Sequence, residues 1–200
     1  MVKANPSLVL ASASPRRHEL LALYGIPFEV MPALAEENAS GSGMDRVAGI
    51  ARDKCDEVFA QAEDCYVLAA DTLVCVDDSV LGKPVDAEDA ARMLRMLGGR
   101  WHEVHTGVCL RGPGGFADLR VETTRVRFTP LREDIILQYV RTGEPMDKAG
   151  AYAIQGISGI FVSRIEGSPS NVIGLPLALV SQMLENAGFA FSLPVEKGTN

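Results

Sequence analysis

The sequence predicts an α/β protein, a curved mixed sheet flanked by helices, and three observations carry that reading. Leu8-Val9-Leu10 and Tyr66-Val67-Leu68-Ala69-Ala70 are short apolar runs of the kind that form buried strands. Between the strand-like runs lie stretches with helix caps and apolar residues at helical spacing. Around Gly112-Pro113-Gly114-Gly115, two long segments pair as an antiparallel hairpin would, with one face solvated. Strands and helices interleave without a linker, repeat or low-complexity tract, so residues 1–200 read as one domain.

Each element has its own signal. After Leu8–Leu10, the small residues Ser12, Ala13 and Ser14 allow a sharp turn. Ser14 suits a helix N-cap and Pro15 the first helical position, with Leu20, Leu21 and Tyr24 as the apolar face and Gly25 as the stop. Ile26, Phe28 and Val30 alternate as a second strand, and residues 32 to 43 read as a loop carrying Glu36 and Glu37. Ser42 and Asp45 form a capping box for a helix whose apolar stripe is Val47, Ile50, Ala51, Cys55, Val58 and Ala62, with Arg52 and Lys54 off it. The strand at 66–70 ends in Asp71-Thr72, yet Leu73–Val76 continues strand-like beyond it. A turn at Asp77–Ser79, a loop with Lys83 between Gly82 and Pro84, and a helix capped by Asp86 and closed by Gly98-Gly99 follow. Val104, Thr106, Val108 and Leu110 mark one face of the next strand, and Phe116–Phe128 returns beside it. Thr129-Pro130 opens a helix with Ile135, Ile136, Tyr139 and Val140, ending at Gly143. Residues 144 to 159 read as irregular, Ile160–Val162 with Ile165 as a short strand, Gly167–Gly174 as a loop, and Leu175–Ala187 as the last helix.

Composition narrows the partners. With 47% hydrophobic residues the chain can bury a substantial core, in one body or two lobes. A net charge of −7 with no basic run argues against a nucleic-acid footprint, so any anion site must be a local basic pocket. The cysteines Cys55, Cys65, Cys75 and Cys109 form no C-x-x-C pair, as expected of buried free thiols in a reducing cytoplasm. No segment resembles a secretion signal or membrane span.

Chemistry concentrates at a few places. Ser12, Ser14, Arg16 and Arg17 stand where a strand gives way to a helix. Amide N–H groups and the helix dipole there favour anions, and arginine adds bidentate phosphate contacts. A capped helix with an exposed arginine pair, needing no ligand, is the other reading. Asp71 follows an apolar run, where a charge is costly unless it is paired, hydrogen-bonded or metal-bound. Strand ends also place turn carboxylates, but the continuing strand disfavours that. Glu36, Glu37 and Asp147-Lys148 taken singly would be solvated loop charges, and Lys54 an ordinary helix-surface lysine. Lys83 is not part of a Walker loop. His102-Glu103-Val104-His105 lacks H-E-x-x-H spacing and lies in a strand, so both histidines read as structural and facing opposite sides.

The motifs S-A-S-P-R-R at 12–17, A-A-D-T at 69–72, G-K-P at 82–84, D-K-A-G-A-Y-A-I-Q-G at 147–156, I-E-G-S at 165–168 and N-V-I-G-L-P at 171–176 occur in one order. In this the chain, over about residues 7–187, resembles the Maf-like nucleoside triphosphate pyrophosphatases, of the branch acting on dTTP and UTP. Ala13 and Ala153 stand where that family frequently has glycine. The resemblance implies a cytoplasmic homodimer whose mixed sheet spans two lobes around a nucleotide cleft. It also implies a Mg²⁺ or Mn²⁺ cofactor and hydrolysis of a nucleoside triphosphate to the monophosphate and pyrophosphate. It assigns Asp71 as proton acceptor and Arg16, Thr72 and Gln155 to base discrimination. Ser12, Arg16, Arg17, Lys54 and Lys83 suit the phosphates, and Glu36, Glu37 and Asp71 the metal. Action on a purine or methylated nucleotide, or a non-enzymatic nucleotide-binding role in cell division, are the alternatives.

Overall fold

The computed structural model describes residues 6–34 and 40–191. Its frame is a seven-stranded mixed sheet. Strand β1 (Leu8–Leu10) runs parallel to β2 (Glu29–Val30) on one side and to β3 (Tyr66–Val76) on the other. The remaining pairings are antiparallel: β3 with β4 (Ser79–Leu81) and β5 (Trp101–Gly112), β5 with β6 (Phe116–Phe128), and β6 with β7 (Val162–Glu166). Helices α1 (Pro15–Ala22) and α2 (Gly43–Phe59) make the crossovers that parallel pairing demands.

One face of the sheet carries α2. Its Ala51, Cys55 and Val58 pack on Val9, Val67, Ala69 and Cys109, the outward residues of β1, β3 and β5. The capping box forms: the Ser42 hydroxyl accepts from the Asp45 amide while the Asp45 carboxylate accepts from the Ser42 amide. Close approach of α2 depends on Gly107, where a Cβ would lie 2.2 Å from the Val47 carbonyl oxygen. Because α2 covers that face, β5 is buried on both sides along its middle, and the solvated face expected of the hairpin is confined to β6.

The opposite face is divided. At one end Leu8, Leu10, Leu68, Ala70, Val108 and Leu110 pack against α1 and α6 (Leu177–Asn186) through Leu21, Val180, Met183 and Leu184. At the other, Val74, Val76, Val104, Val126 and Phe128 pack against α3 (Ala87–Leu97) and α4 (Glu133–Arg141) through Ala90, Leu94, Leu97 and Ile136. Each fully buried leucine there contributes roughly 1.5–3 kcal/mol of transfer free energy. Between the two cores β3 and β5 present Thr72 and Thr106, directly paired, with hydroxyl oxygens 3.0 Å apart. The expected two lobes are therefore two cores on one continuous sheet, separated by a polar seam.

Several local expectations shift. Ser14 occupies the N-cap position of α1 without capping; its amide instead donates to the Ser12 hydroxyl at 3.2 Å. Helix α4 begins at Glu133 rather than at Thr129-Pro130, because the Thr129 amide and hydroxyl are both held by the Phe161 carbonyl. The strand expected from Ile160 starts at Val162, after a 3₁₀ turn over Ile157–Phe161. The loop after Gly167 contains a short helix, α5 (Pro169–Ile173), capped by the Ser168 hydroxyl. Cys55 and Cys109 are buried thiols, whereas Cys65 and Cys75 are half-buried; all are free. Among the described residues no helix is long and apolar enough to cross a membrane.

Both strand histidines are buried and packed, on opposite faces as expected. His105 Nδ1 lies 2.9 Å from the Thr123 hydroxyl, and His102 Nε2 lies 2.9 Å from the Tyr152 hydroxyl. Burial disfavours the His102 imidazolium and lowers its pKa to about 4. A histidine kept neutral by the fold stabilises it fully above its unfolded pKa near 6.5. That contribution is lost as pH falls toward 4, up to roughly 3 kcal/mol. Melting temperature is therefore expected to fall between pH 7 and pH 4.5, and more steeply for the wild type than for His102→Gln. Parallel slopes would show that His102 titrates normally.

Candidate active site

The site arises from an interruption in the sheet. β1 pairs with β3 only as far as Leu68, and β4 begins to pair at Val74. Among the described residues, 69–73 of β3 therefore have a strand neighbour on the β5 side alone. The chain leaving β1 and the loop after β4 diverge around this window, leaving a cleft of about 390 Å³. Asp71 and Thr72 lie in the window on consecutive positions, so their side chains point to opposite faces of the sheet.

Asp71 points to the α2 side. Its Oδ1 accepts from Lys54 Nζ at 2.8 Å, with only 7% of the carboxylate side chain and 12% of the lysine exposed. Lys54 is thus not a surface lysine. It lies off the apolar stripe of α2 because that edge of the helix faces the window. Thr72 points the other way and accepts from Arg17 Nη2 at 3.1 Å. The Arg17 guanidinium also donates to the Gly174 carbonyl (2.9 Å) and the Ser12 hydroxyl (3.4 Å), and Thr106 donates onward to the Asn171 carbonyl (3.2 Å). Arg17 thereby ties the β1–α1 turn to β3 and to the segment after α5. Gly174 permits this approach with φ +121°, a conformation side chains disfavour.

Arg16, one position earlier and so about 100° around the helix, reaches across the cleft. Its Nη1 lies 3.3 Å from Asp147 Oδ2, and Asp147 also takes Lys148 Nζ at 2.5 Å. Burial works against the Asp147 charge, but the Lys148 hydrogen bond and the charges of Lys148 and Arg16 outweigh it and hold the carboxyl below its ordinary range. Lys83 is exposed at the rim, on a loop joined to the Asp147–Gln155 side by the Gly150 amide, which donates to the Gly82 carbonyl at 3.0 Å, and Gln155 is exposed on that same side. Neither has a hydrogen-bonded side-chain partner among the described residues.

The cleft thus gathers Ser12, Arg16, Arg17, Lys54, Asp71, Thr72, Lys83 and Gln155, residues up to 143 positions apart in sequence (155 minus 12). Glu36 and Glu37 lie outside the described residues. Sequence reasoning undervalued Asp147 and Lys148, which read singly as loop charges but form a wall of the cleft; the signal was their place at the head of D-K-A-G. Among the described residues no three histidine, cysteine or carboxylate side chains converge on a metal-sized site. Asp71 brings a hard oxygen donor to the cleft. That chemistry suits a magnesium-like ion held by one or two carboxylates and mostly by ligand phosphates, rather than an all-protein cage.

Comparison with known proteins follows the same line. The family model described as Maf-like protein matches residues 7–187. A dTTP/UTP pyrophosphatase of Anaeromyxobacter sp. is 53% identical over 187 residues, covering 90% of this chain and 89% of that protein. A protein of the same name from Thermococcus gammatolerans is 46% identical over 182 residues, covering 89% and 95%. Among solved structures, the Ham1 protein of Staphylococcus aureus superposes with a TM-score of 0.51 at 17% identity. It covers 90% of this chain and 99% of that one, a likeness of fold alone.

The buried Lys54–Asp71 pair yields a stability test. Removing one partner of such a pair typically costs about 3–5 kcal/mol. Lys54→Ala is expected to fall by that order in urea unfolding, and Asp71→Asn in the same background to recover part of the loss. A cost under about 1 kcal/mol, the range of exposed pairs, would mean the pair is screened by water.

Proposed function

The chain belongs to the Maf-like protein family, and from that premise we propose that it hydrolyses dTTP and UTP to the nucleoside monophosphate and pyrophosphate. The observation that carries the proposal is the cleft itself: a buried carboxylate held by Lys54, basic side chains on both walls, and an exposed glutamine amide on the wall that carries Asp147.

Cleavage between the α and β phosphates needs a water aimed at the α phosphorus and a group to take its proton. Asp71, fixed by Lys54 on a continuous strand, is the proton acceptor, a role that geometry must define before basicity does. Arg16, Lys83 and Lys54 suit the phosphate oxygens. Arg16 exchanges Asp147 for a phosphate, gaining a bidentate partner. Arg17, already committed to Gly174, Ser12 and Thr72, acts mainly by shaping the turn, with the Ser12 hydroxyl as a further phosphate contact. A divalent cation, Mg²⁺ or Mn²⁺, would be held by Asp71 with the substrate phosphates, Glu36 and Glu37 being further carboxylates for it. When bound it neutralises phosphate charge and acidifies water.

Base choice falls to Gln155 with Thr72 and Arg16. A glutamine amide offers one donor and one acceptor group, matching the carbonyl and N–H edge shared by uracil and thymine. A wrong base would leave buried polar groups unpaired, and that penalty discriminates strongly. The homodimer is part of the same proposal, and its support is the family to which the chain belongs.

Pyrophosphate release is expected from dTTP and UTP well above ATP and GTP in the presence of Mg²⁺ or Mn²⁺. Asp71→Asn should lower kcat roughly 10²–10⁴-fold, the usual share of a general base, with an unchanged circular dichroism spectrum. Faster turnover of GTP or a methylated GTP by the wild type would overturn the pyrimidine reading, and an active Asp71→Asn the proton-acceptor role. Lys83→Ala is expected to raise KM for the triphosphate roughly tenfold, about the value of one charge-assisted hydrogen bond; an unchanged KM would place the phosphates elsewhere.

A further inference from the structure

Gln155 sits at the tip of a turn that has little regular structure of its own. The segment from Ala153 to Ser158 closes on itself: the Ser158 hydroxyl accepts from the Ala153 amide at 2.9 Å and donates to the Ala153 carbonyl at 2.8 Å. Beyond that, the far side of the turn is held by one carboxylate from outside it. Glu144 Oε2 accepts from the Ile157 amide at 3.0 Å, and Oε1 accepts from the Ser158 amide at 3.4 Å and from the Tyr139 hydroxyl at 2.9 Å. Tyr139 belongs to the buried core, its ring edge-on to Phe161 at 5.2 Å. The turn is therefore fastened through Glu144 to the rigid body of the lobe. Gly156 completes the arrangement: a Cβ there would lie 2.3 Å from Glu144 Oε1, so the carboxylate rests against the turn only because residue 156 has no side chain.

We propose that Glu144 is a positioning residue, whose carboxylate fixes the 155–158 turn so that Gln155 presents its amide to the nucleotide base. This rests on the reading of Gln155 given above. A glutamine on an exposed turn samples many rotamers and loses that freedom on binding. Fixing the backbone beneath it confines the amide to one region of the cleft wall, so discrimination between bases does not have to offset loop ordering as well. Glu144 touches no reacting atom in this arrangement, and its loss is expected in base selection and KM, with kcat for the preferred substrate little changed.

The test is the ratio of kcat/KM for dTTP to that for GTP in wild type, Gln155→Ala, Glu144→Ala, Glu144→Gln, Gly156→Ala and the double variant Glu144→Ala/Gln155→Ala. Glu144→Ala is expected to erode the ratio roughly tenfold, as loss of a hydrogen-bonded carboxylate support does, through KM. Glu144→Gln, whose amide oxygen still accepts from Ile157, should restore most of it. Gly156→Ala displaces the mobile end of a side chain and keeps the fold, yet should reproduce the Glu144→Ala phenotype. In the Gln155→Ala background Glu144→Ala should change the ratio no further. Hydrogen exchange of the Ile157 and Ser158 amides should rise in Glu144→Ala and Gly156→Ala. An eroded ratio in Gln155→Ala beside an intact one in Glu144→Ala would overturn the positioning role alone, as would unchanged exchange at these amides. An intact ratio in Gln155→Ala would overturn base reading by Gln155, and with it the purpose assigned to Glu144.

Discussion

The site depends on where β3 loses a neighbour. An 11-residue strand crosses both lobes, but one of its edges is covered by β1 at the start and by β4 at the end. A buried strand edge must find partners for its polar groups, and a gap in pairing is stable only where something polar can enter. The chain places its small and polar residues there: Asp71 and Thr72 in β3, with Gly107 and Thr106 opposite them in β5. Apolar residues resume on both sides. The cleft is therefore the place where the two cores stop, and the strand that stops them carries the carboxylate.

Charge follows the same geometry. A protein of net charge −7 concentrates arginine and lysine in this cleft, and the cations placed there are not all equivalent. Lys54 is buried against Asp71, so its energy is bound up with a partner that would suffer from its loss. Arg17 is spent on carbonyl and hydroxyl acceptors that fix the backbone. Arg16 is matched to Asp147, a partner with 69% of its side chain exposed and hence weakly held. Lys83 has no ion pair among the described residues. The basic groups thus grade from structural to available, and a polyphosphate would compete for the available end of that series.

Much of this was legible in the residues. The strand at 8–10, the capping box at Ser42, the cap at Asp86, and the hairpin around residues 112–115 follow from local propensity and apolar period, which read short-range physics well. Asp71 stood out because a charge after Leu68-Ala69-Ala70 needs a reason. What could not be read is what depends on distant partners. Lys54 looks exposed until α2 is docked, a docking set by Gly107, 53 residues further on (107 minus 54). Ser14 had the chemistry of a cap and stands at the N-cap position, yet its side chain makes no capping bond. Thr129-Pro130 had the look of a helix start, but the Phe161 carbonyl takes both the Thr129 amide and its hydroxyl. At Thr129 tertiary hydrogen bonding overrode a local preference worth about 1 kcal/mol.

The adjacent arginines show how a short motif divides its labour. Two consecutive helical residues diverge by about 100°, so Arg16 and Arg17 cannot serve one site in the same way. Arg17 turns inward under the β1–α1 turn, where Gly174, Ser12 and Thr72 occupy its donors. Because Thr72 neighbours Asp71 on a pleated strand, this fixes the seam side of the window while Lys54 fixes the α2 side. Arg16 turns outward and crosses to the lobe that carries Asp147 and Gln155. A ligand that draws Arg16 away from Asp147 would thus sever an ion pair between the two walls while leaving Arg17 in place. The buried contacts thus hold β3 from both faces, and the contact across the opening is the exposed Arg16–Asp147 pair.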